Sequence, residues 1–292
     1  LGDEKEILIQ RSRMMADDDQ RSISMSRPTL VFTFLAITTL PAFVSDRVPA
    51  PASPQTSDAE GLRLLHQLQN ALGGAARIAA VRDYEEVIRA EAWDGSGASL
   101  GEVRKRTRWM KTPNAIRLDQ RGPRGTYVLY FDGASGWEIL PDLQGSDRFR
   151  TTGTAIPLAG GELQFAKGYL SGFELNLWLS DQMPGYKVTS PAPHVLRIEH
   201  PAGATDFTLD PNTGVLLKSA SVSLADPNRP VPAEMRYDGW KEVSGVRFPT
   251  HRVNYQSGIK RGEVTTADIR VNGGLRPQDL AAKPADFAPD VR

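Results

Sequence analysis

Residues 84–140 read YEEVIRAEAWDGSGASLGEVRKRTRWMKTPNAIRLDQRGPRGTYVLYFDGASGWEIL. Short extended runs recur at Tyr84–Trp93, Ser99–Trp109, Ala115–Gln120, Tyr127–Phe131 and Gly136–Leu140. Asp94-Gly95, Thr112-Pro113, Gly122-Pro123 and Asp132-Gly133 break them, because Gly reaches positive φ and Pro fixes φ and cannot donate to a ladder. Consecutive short strands with tight turns predict an antiparallel meander.

Towards the C-terminus the pattern first becomes helical over Gly161–Leu179, where Leu163, Ala166, Leu170, Phe173, Leu177 and Trp178 fall largely on one side. Strands then resume at Lys187–Thr189, His194–Glu199, Thr205–Leu209, Val215–Ser223, Glu234–Glu242, Arg247–Gln256 and Glu263–Asn272, with turns at Asp210–Gly214 and Ser244-Gly245. Towards the N-terminus, Ser57 or Asp58 is placed to cap a helix carrying Leu62, Leu65, Leu68 and Leu72, which Gly73-Gly74 stops, and a short helical turn follows over Ala75–Val81. About a dozen strands and two substantial helices predict one mainly β (α+β) domain over residues 58–292. Its simplest architecture is an incomplete, strongly curved antiparallel β-barrel with helices covering the concave side. No period of roughly 20 to 50 residues recurs, which disfavours a propeller or solenoid.

The chain has 292 residues, 40% apolar and 24% charged, enough for one sizeable core. Lys plus Arg equals Asp plus Glu at 35 each, so no long-range field draws the chain to nucleic acid or an anionic membrane. Without cysteine there is no disulfide, thiolate zinc site, thiol nucleophile or lipidated cysteine. Residues 25–50, MSRPTLVFTFLAITTLPAFVSDRVPA, place one arginine before an apolar run from Leu30 to Leu40 and then small and polar residues. That is the order of a secretory signal peptide, and the run is short of the ~20 residues of a spanning helix. We read 1–24 as a non-native or disordered extension, 25–48 as the signal peptide and 49–57 as a flexible linker; an uncleaved anchor is the alternative. Export to the periplasm or cell envelope is the expectation.

Catalytic patterns are missing. There is no G-x-S-x-G elbow, and Gly95, Gly97 and Gly101 belong to a hairpin turn and not to a phosphate loop. The four histidines, His66, His194, His200 and His251, form no H-E-x-x-H and no close ligand pair, so neither a metal nor another cofactor is expected. Glu85, Glu86, Glu102, Asp119 and Glu138 are explained by solvated strand faces as readily as by acid–base chemistry. The densest local charge is Arg104, Lys105, Arg106, Arg108 and Lys111. On a strand, Arg104, Arg106 and Arg108 oppose Val103, Lys105, Thr107 and Trp109. The arginine face is either a solvated exterior or a docking surface for an acidic partner or lipid head group.

Several stretches together resemble the outer-membrane lipoprotein-sorting family, which comprises the periplasmic lipoprotein carrier and its outer-membrane receptor. They are a leading helix ending A-L-G-G, K-T-P-N-A-I-R-L-D (111–119), F-D-G-A-S-G-W (131–137), L-D-P-N-T-G-V-L-L-K (209–218), Y-D-G-W-K-E-V-S-G-V-R-F-P-T (237–250), I-R-V-N-G-G-L (269–275) and P-A-D-F (284–287). The resemblance spans roughly residues 58–290 and rests on turn and strand-edge signatures, so it is more specific for fold than for cargo. It implies an apolar cavity for acyl chains, no catalytic residue and no cofactor. It also implies a gating arginine, which the sequence leaves among Arg89, Arg104 and Arg117.

Each buried methylene contributes ~0.8 kcal/mol, so a C16 chain offers an upper limit on the order of 12 kcal/mol before ordering costs, and a dry apolar groove suffices. The candidate lining on the early strands is Trp109, Ile116, Leu118, Val128, Tyr130 and Ile139, taken as one alternating face. From the helices come Leu65, Leu68, Phe165, Leu170 and Phe173. Core residues read the same way. The expected function is a non-catalytic carrier or chaperone for lipids or lipoproteins, with acyl chains and an envelope membrane protein as partners. An envelope-stress sensor or interaction module on the same fold is the alternative, for which the Pro-rich Asp226–Pro232 is a second surface; an envelope hydrolase comes last.

Overall fold

Alternation in Tyr84–Trp93 becomes strand β1 (Asp83–Trp93), where Tyr84, Ile88, Ala90 and Ala92 are buried on one side and Arg89 and Glu91 are exposed on the other. The computed structural model describes residues 57–123, 125–140, 154–223 and 231–283. The readings of 1–24 and 25–48, nearly all of the 49–57 linker, and most of Asp226–Pro232 lie outside the described residues. No described helix is long and apolar enough to cross a membrane.

The meander continues through β2 (Ser99–Met110), β3 (Ala115–Gly122), β4 (Gly125–Phe131), β5 (Gly136–Ile139) and the two-residue β6 (Ile156–Pro157). A second meander comprises β7 (Lys187–Ala192), β8 (Val195–His200), β9 (Gly203–Leu209), β10 (Leu216–Ser223), β11 (Val231–Val243), β12 (Val246–Gln256) and β13 (Ile259–Val271). The two meet where β1 pairs antiparallel with β13, giving one sheet in the order β6-β5-β4-β3-β2-β1-β13-β12-β11-β10-β9-β8-β7. It is strongly curved and does not close, so the incomplete barrel expected from the sequence is present. The sequence reading omits β6.

Helix α1 (Ala59–Ala71) starts where Asp58 Oδ1 accepts from the Gly61 amide at 2.5 Å, and it buries Leu64, Leu65 and Leu68 against β7 and β8. Gly73 ends it at φ 114°, and a Cβ there would lie 2.1 Å from the Gly245 carbonyl oxygen, so both conformation and space demand glycine. The short α2 (Ala75–Ala79) follows. The helix expected over Gly161–Leu179 is two: α3 (Gly160–Ser171) and α4 (Glu174–Trp178), followed by a 3-10 turn at Ser180–Gln182. The break falls where Gly172 caps α3 and Phe173 is extended at φ −65°, ψ 135°, turning its ring into the core between Tyr84 and Trp109.

Helices α1, α3 and α4 cover one face of the sheet, here the inner face. A fifth helix, α5 (Pro277–Ala281), lies on the outer face, where Leu280 packs with Met110 and Ala115 and Arg117 donates to the carbonyls of Leu280 and Ala282. Beside it Val128, Trp137 and Ile139 form a small outer cluster with Tyr130.

Candidate ligand site on the inner face

Strand register sorts the inner face into three bands. At the end formed by the start of β1 and β12 and the end of β2, Tyr84, Trp109, Phe173, Trp178 and Phe248 meet ring to ring, with centroids 5.2–5.9 Å apart. All five are buried. Aromatic contacts of this kind add to the area that they remove from water, so this end is packed core.

Across the middle runs a belt of buried charge. Arg252 on β12 donates through Nη2 to Glu86 on β1 and to Thr266 Oγ1 on β13 at 3.1 Å, and Thr266 in turn donates to Glu86 at 2.7 Å. Glu174, on the covering α4, approaches Arg252 Nη1 at 3.7 Å, beyond hydrogen-bond length. The Arg252 Nε is buried without a hydrogen-bond partner. Lys105 on β2, 5% exposed, points its Nζ at the Tyr169 hydroxyl of α3 at 3.4 Å and over that ring. Burial, only partly offset by Arg252, holds the Glu174 carboxyl above its ordinary range. Burial also pulls on the Arg252 guanidinium, but the surrounding Glu86, Glu174, Tyr84 and Tyr237 together raise its pKa. Burial lifts the Tyr84 and Tyr237 hydroxyls, and Tyr237 shares a 2.9 Å hydrogen bond with Ser219.

Beyond the belt the side chains become small. Val103, Ala90, Val264 and Arg252 are successive register partners across β2, β1, β13 and β12, and Ala92, Gly262 and Asn254 form the next row. Ala90, Ala92, Val103 and Val264 are each at most 2% exposed. Ala90, Ala92, Val103, Gly262 and Val264 make a buried apolar band of low side-chain volume, edged on β12 by the polar Arg252 and Asn254.

The expected lining residues divide. Trp109, Ile116 and Leu118 are on the inner face, but Val128, Tyr130 and Ile139 are on the outer one, because Leu118 pairs with Leu129 and not with Val128. The single alternating face expected for these six is therefore corrected. Leu65 and Leu68 face β7 and β8 beneath α1, and Phe173 is locked into the aromatic end. Leu170 is buried, while Phe165 is half-buried beside Tyr169. None of these belongs to the small-residue band.

The arginine stripe is also less uniform than its sequence. Arg104 is exposed and bonded to Glu102 at 2.7 Å, Arg106 is bonded to Glu85 at 2.7 Å, and Arg108 is buried against Asp119. Asp119, 0% exposed, is also bonded to Arg117. Of the three proposed docking arginines, Arg108 is thus a structural ion pair beneath α5's edge of the sheet. A cleft of about 410 Å³ nearby is lined by both signs of charge: Arg89, Glu91, Glu102 and Glu263. Arg117 ties down α5, Arg104 pairs locally and Arg89 faces the cleft, so none of the three candidate gating arginines lies on the inner face.

The nearest thing to a nucleophile and base is Ser171 Oγ, 3.1 Å from His200 Nδ1. Burial holds His200 down to about 4, its Nε2 has no partner, and the Ser171 hydroxyl is also within 3.2 Å of the Gly168 carbonyl. A base so far below neutrality, with no carboxylate to orient it, is a helix-end contact. Among the described residues no group of three His, Cys, Asp or Glu is placed to hold a metal ion.

Sequence reasoning missed Arg252, Glu86 and Glu174 as a unit. Arg252 has the parity of Val246 and Phe248, and Glu86 that of Tyr84 and Ile88, so counting by twos from the apolar residues would have found two members. Glu174 had no such signal, because its position depends on the break at Gly172.

A LolA-superfamily protein from Nitrosomonas europaea superposes with a TM-score of 0.50 over 76% of this chain and 97% of its own, at 12% identity. The chain shares the fold of that protein. A putative outer-membrane lipoprotein-sorting protein domain from Vibrio parahaemolyticus matches 75% of the chain at 14% identity and TM-score 0.45. A DUF1329-family protein from Desulfovibrio piger matches 77% at 10% and 0.49. No protein-family model and no curated protein sequence matches the chain.

Proposed function

We propose that this chain is a non-catalytic carrier or chaperone of the cell envelope that shields the acyl chains of a lipid or lipoprotein against its inner face. The observation that carries the reading is the small-residue band, Ala90, Ala92, Val103, Gly262 and Val264, buried on the inner face of a LolA-like sheet. Small apolar side chains on a fixed sheet leave volume for a flexible hydrocarbon, and apolar burial alone supplies its binding energy. The sequence resemblance to lipoprotein-sorting proteins and the export signal read in residues 25–48 point the same way. A hydrolytic role is disfavoured by the site's chemistry: Glu86 is committed to Arg252 and Thr266, and His200 is held neutral.

The test is native extraction. The exported full chain, purified without detergent, is extracted with organic solvent and analysed by lipid mass spectrometry beside an Ala90→Phe variant. Near-stoichiometric lipid in the wild type, reduced in a folded variant, is the expected result. Lipid-free protein that also ignores added acyl probes sinks the carrier reading and leaves the interaction module.

A further inference from the structure

The charged belt is out of place beside an acyl-chain wall, since a hydrocarbon needs no ion. Taking charged groups out of water costs several kcal/mol per ion before their mutual attraction is counted. The belt balances two cations, Arg252 and Lys105, against two carboxylates, Glu86 and Glu174. Three of the four are fixed on sheet strands, whereas Glu174 is carried by the five-residue α4 of the cover. Its contact is also the loosest, at 3.7 Å, while Glu86 is hydrogen-bonded to both Arg252 and Thr266.

Arg252 has five N–H donors; among the described residues those on Nη2 are placed in hydrogen bonds, and its Nε is buried with none. Its direct register partner is Val264, and the partner of Val264 is Ala90, so the guanidinium stands at the head of the small-residue wall. If Glu174 leaves, the belt carries one uncompensated positive charge, in a place where an oxyanion attached to a hydrocarbon satisfies both. We propose that Arg252 recognises the anionic head, carboxylate or phosphate, of an acyl-bearing ligand, and that Glu174 occupies this position as an internal stand-in when no ligand is bound. This rests on the carrier reading and adds to it the chemical class of the ligand.

The test titrates the full exported chain at pH 8 with a fluorescent polyene fatty acid and with the corresponding alcohol. Lysophosphatidic acid and monoacylglycerol serve as a phosphate-headed and a neutral competitor. The acid binds more tightly than the alcohol by about tenfold, the scale of a charge-assisted hydrogen bond. Glu174→Gln removes the stand-in's charge and tightens binding of the acid and of lysophosphatidic acid several-fold, leaving the alcohol unchanged. Because Arg252→Met alone strands two carboxylates, the triple variant Arg252→Met, Glu86→Gln, Glu174→Gln is the control: it keeps alcohol binding and loses the preference for acid. Equal binding of acid and alcohol in every variant overturns the inference while the carrier reading stands. Displacement of the acid by inorganic phosphate at matching concentration also overturns it, since the site is then one for free anions. If no acyl probe binds at all, both fall together.

Discussion

At one end of the inner face, Tyr84, Trp109, Phe173, Trp178 and Phe248 close ring upon ring; at the other, the same strands present Ala90, Ala92, Val103, Gly262 and Val264. Both ends are buried and apolar, yet they differ in what they can accept. The aromatic end has filled its own volume and serves stability. The small-residue end presents little side-chain volume of its own from the strands, and the charged belt divides the two. Burial alone therefore does not distinguish the two ends; side-chain volume on a shared face does.

Substitutions at the two ends should dissociate stability from binding. Phe248→Ala, at the contact of Tyr84 with Trp178, is expected to cost about 3–5 kcal/mol in urea unfolding while surviving folded protein keeps its bound lipid. Arg252→Met should cost roughly 3 kcal/mol or more, because Glu86 is left buried and unpaired, and adding Glu86→Gln and Glu174→Gln should recover much of it. Failure of that recovery would mean that Arg252 acts mainly through its packing.

His200 gives a pH-dependent version. Its folded value of about 4 lies below the ordinary 6.5, so the unfolded chain takes up the proton first. The stability that comes from keeping it neutral is full above pH 6.5 and is lost as pH falls towards 4, by about 2–3 kcal/mol. Chemical denaturation at stepped pH should show a shallower loss over that window in His200→Gln than in wild type. The smallest stability effect is expected for Ala90→Phe, about 1–3 kcal/mol from overpacking, but with the largest loss of bound lipid. Unchanged lipid in a folded Ala90→Phe protein would erase the distinction between the two ends.

The sequence made the meander, the capped α1 and the division of β2 into an arginine face and a Trp109 face legible, because each rests on local chemistry. Parity was lost at Gly122–Gly125. There β3 and β4 pair Leu118 with Leu129, and both faces of β4 are buried, so alternation carried no contrast between water and core. The outer cover that buries Val128 and Tyr130's neighbours comes partly from β5 and α5, and the latter lies more than a hundred positions further along the chain. The charged belt was illegible for a related reason: Glu86, Glu174 and Arg252 sit on three separate elements, and an arginine in a strand reads by default as solvent-facing.

Every strand but one pair finds its partner next door in sequence, and that exception, β1 with β13, has a consequence for how the molecule assembles. Apart from the longer β5–β6 connection, each meander is built of neighbours joined through short loops, whereas Thr266 meets Glu86 across 180 residues. The two halves are thus free to zip separately, with the β1–β13 seam carrying the largest closure entropy and the slowest route to contact. The inner face is a continuous surface only after that seam forms, so the belt doubles as the rivet of the seam: Glu86 from the first half is gripped by Arg252 and Thr266 from the second. Until its last strand arrives the chain has no seam, and its inner face becomes one surface only then.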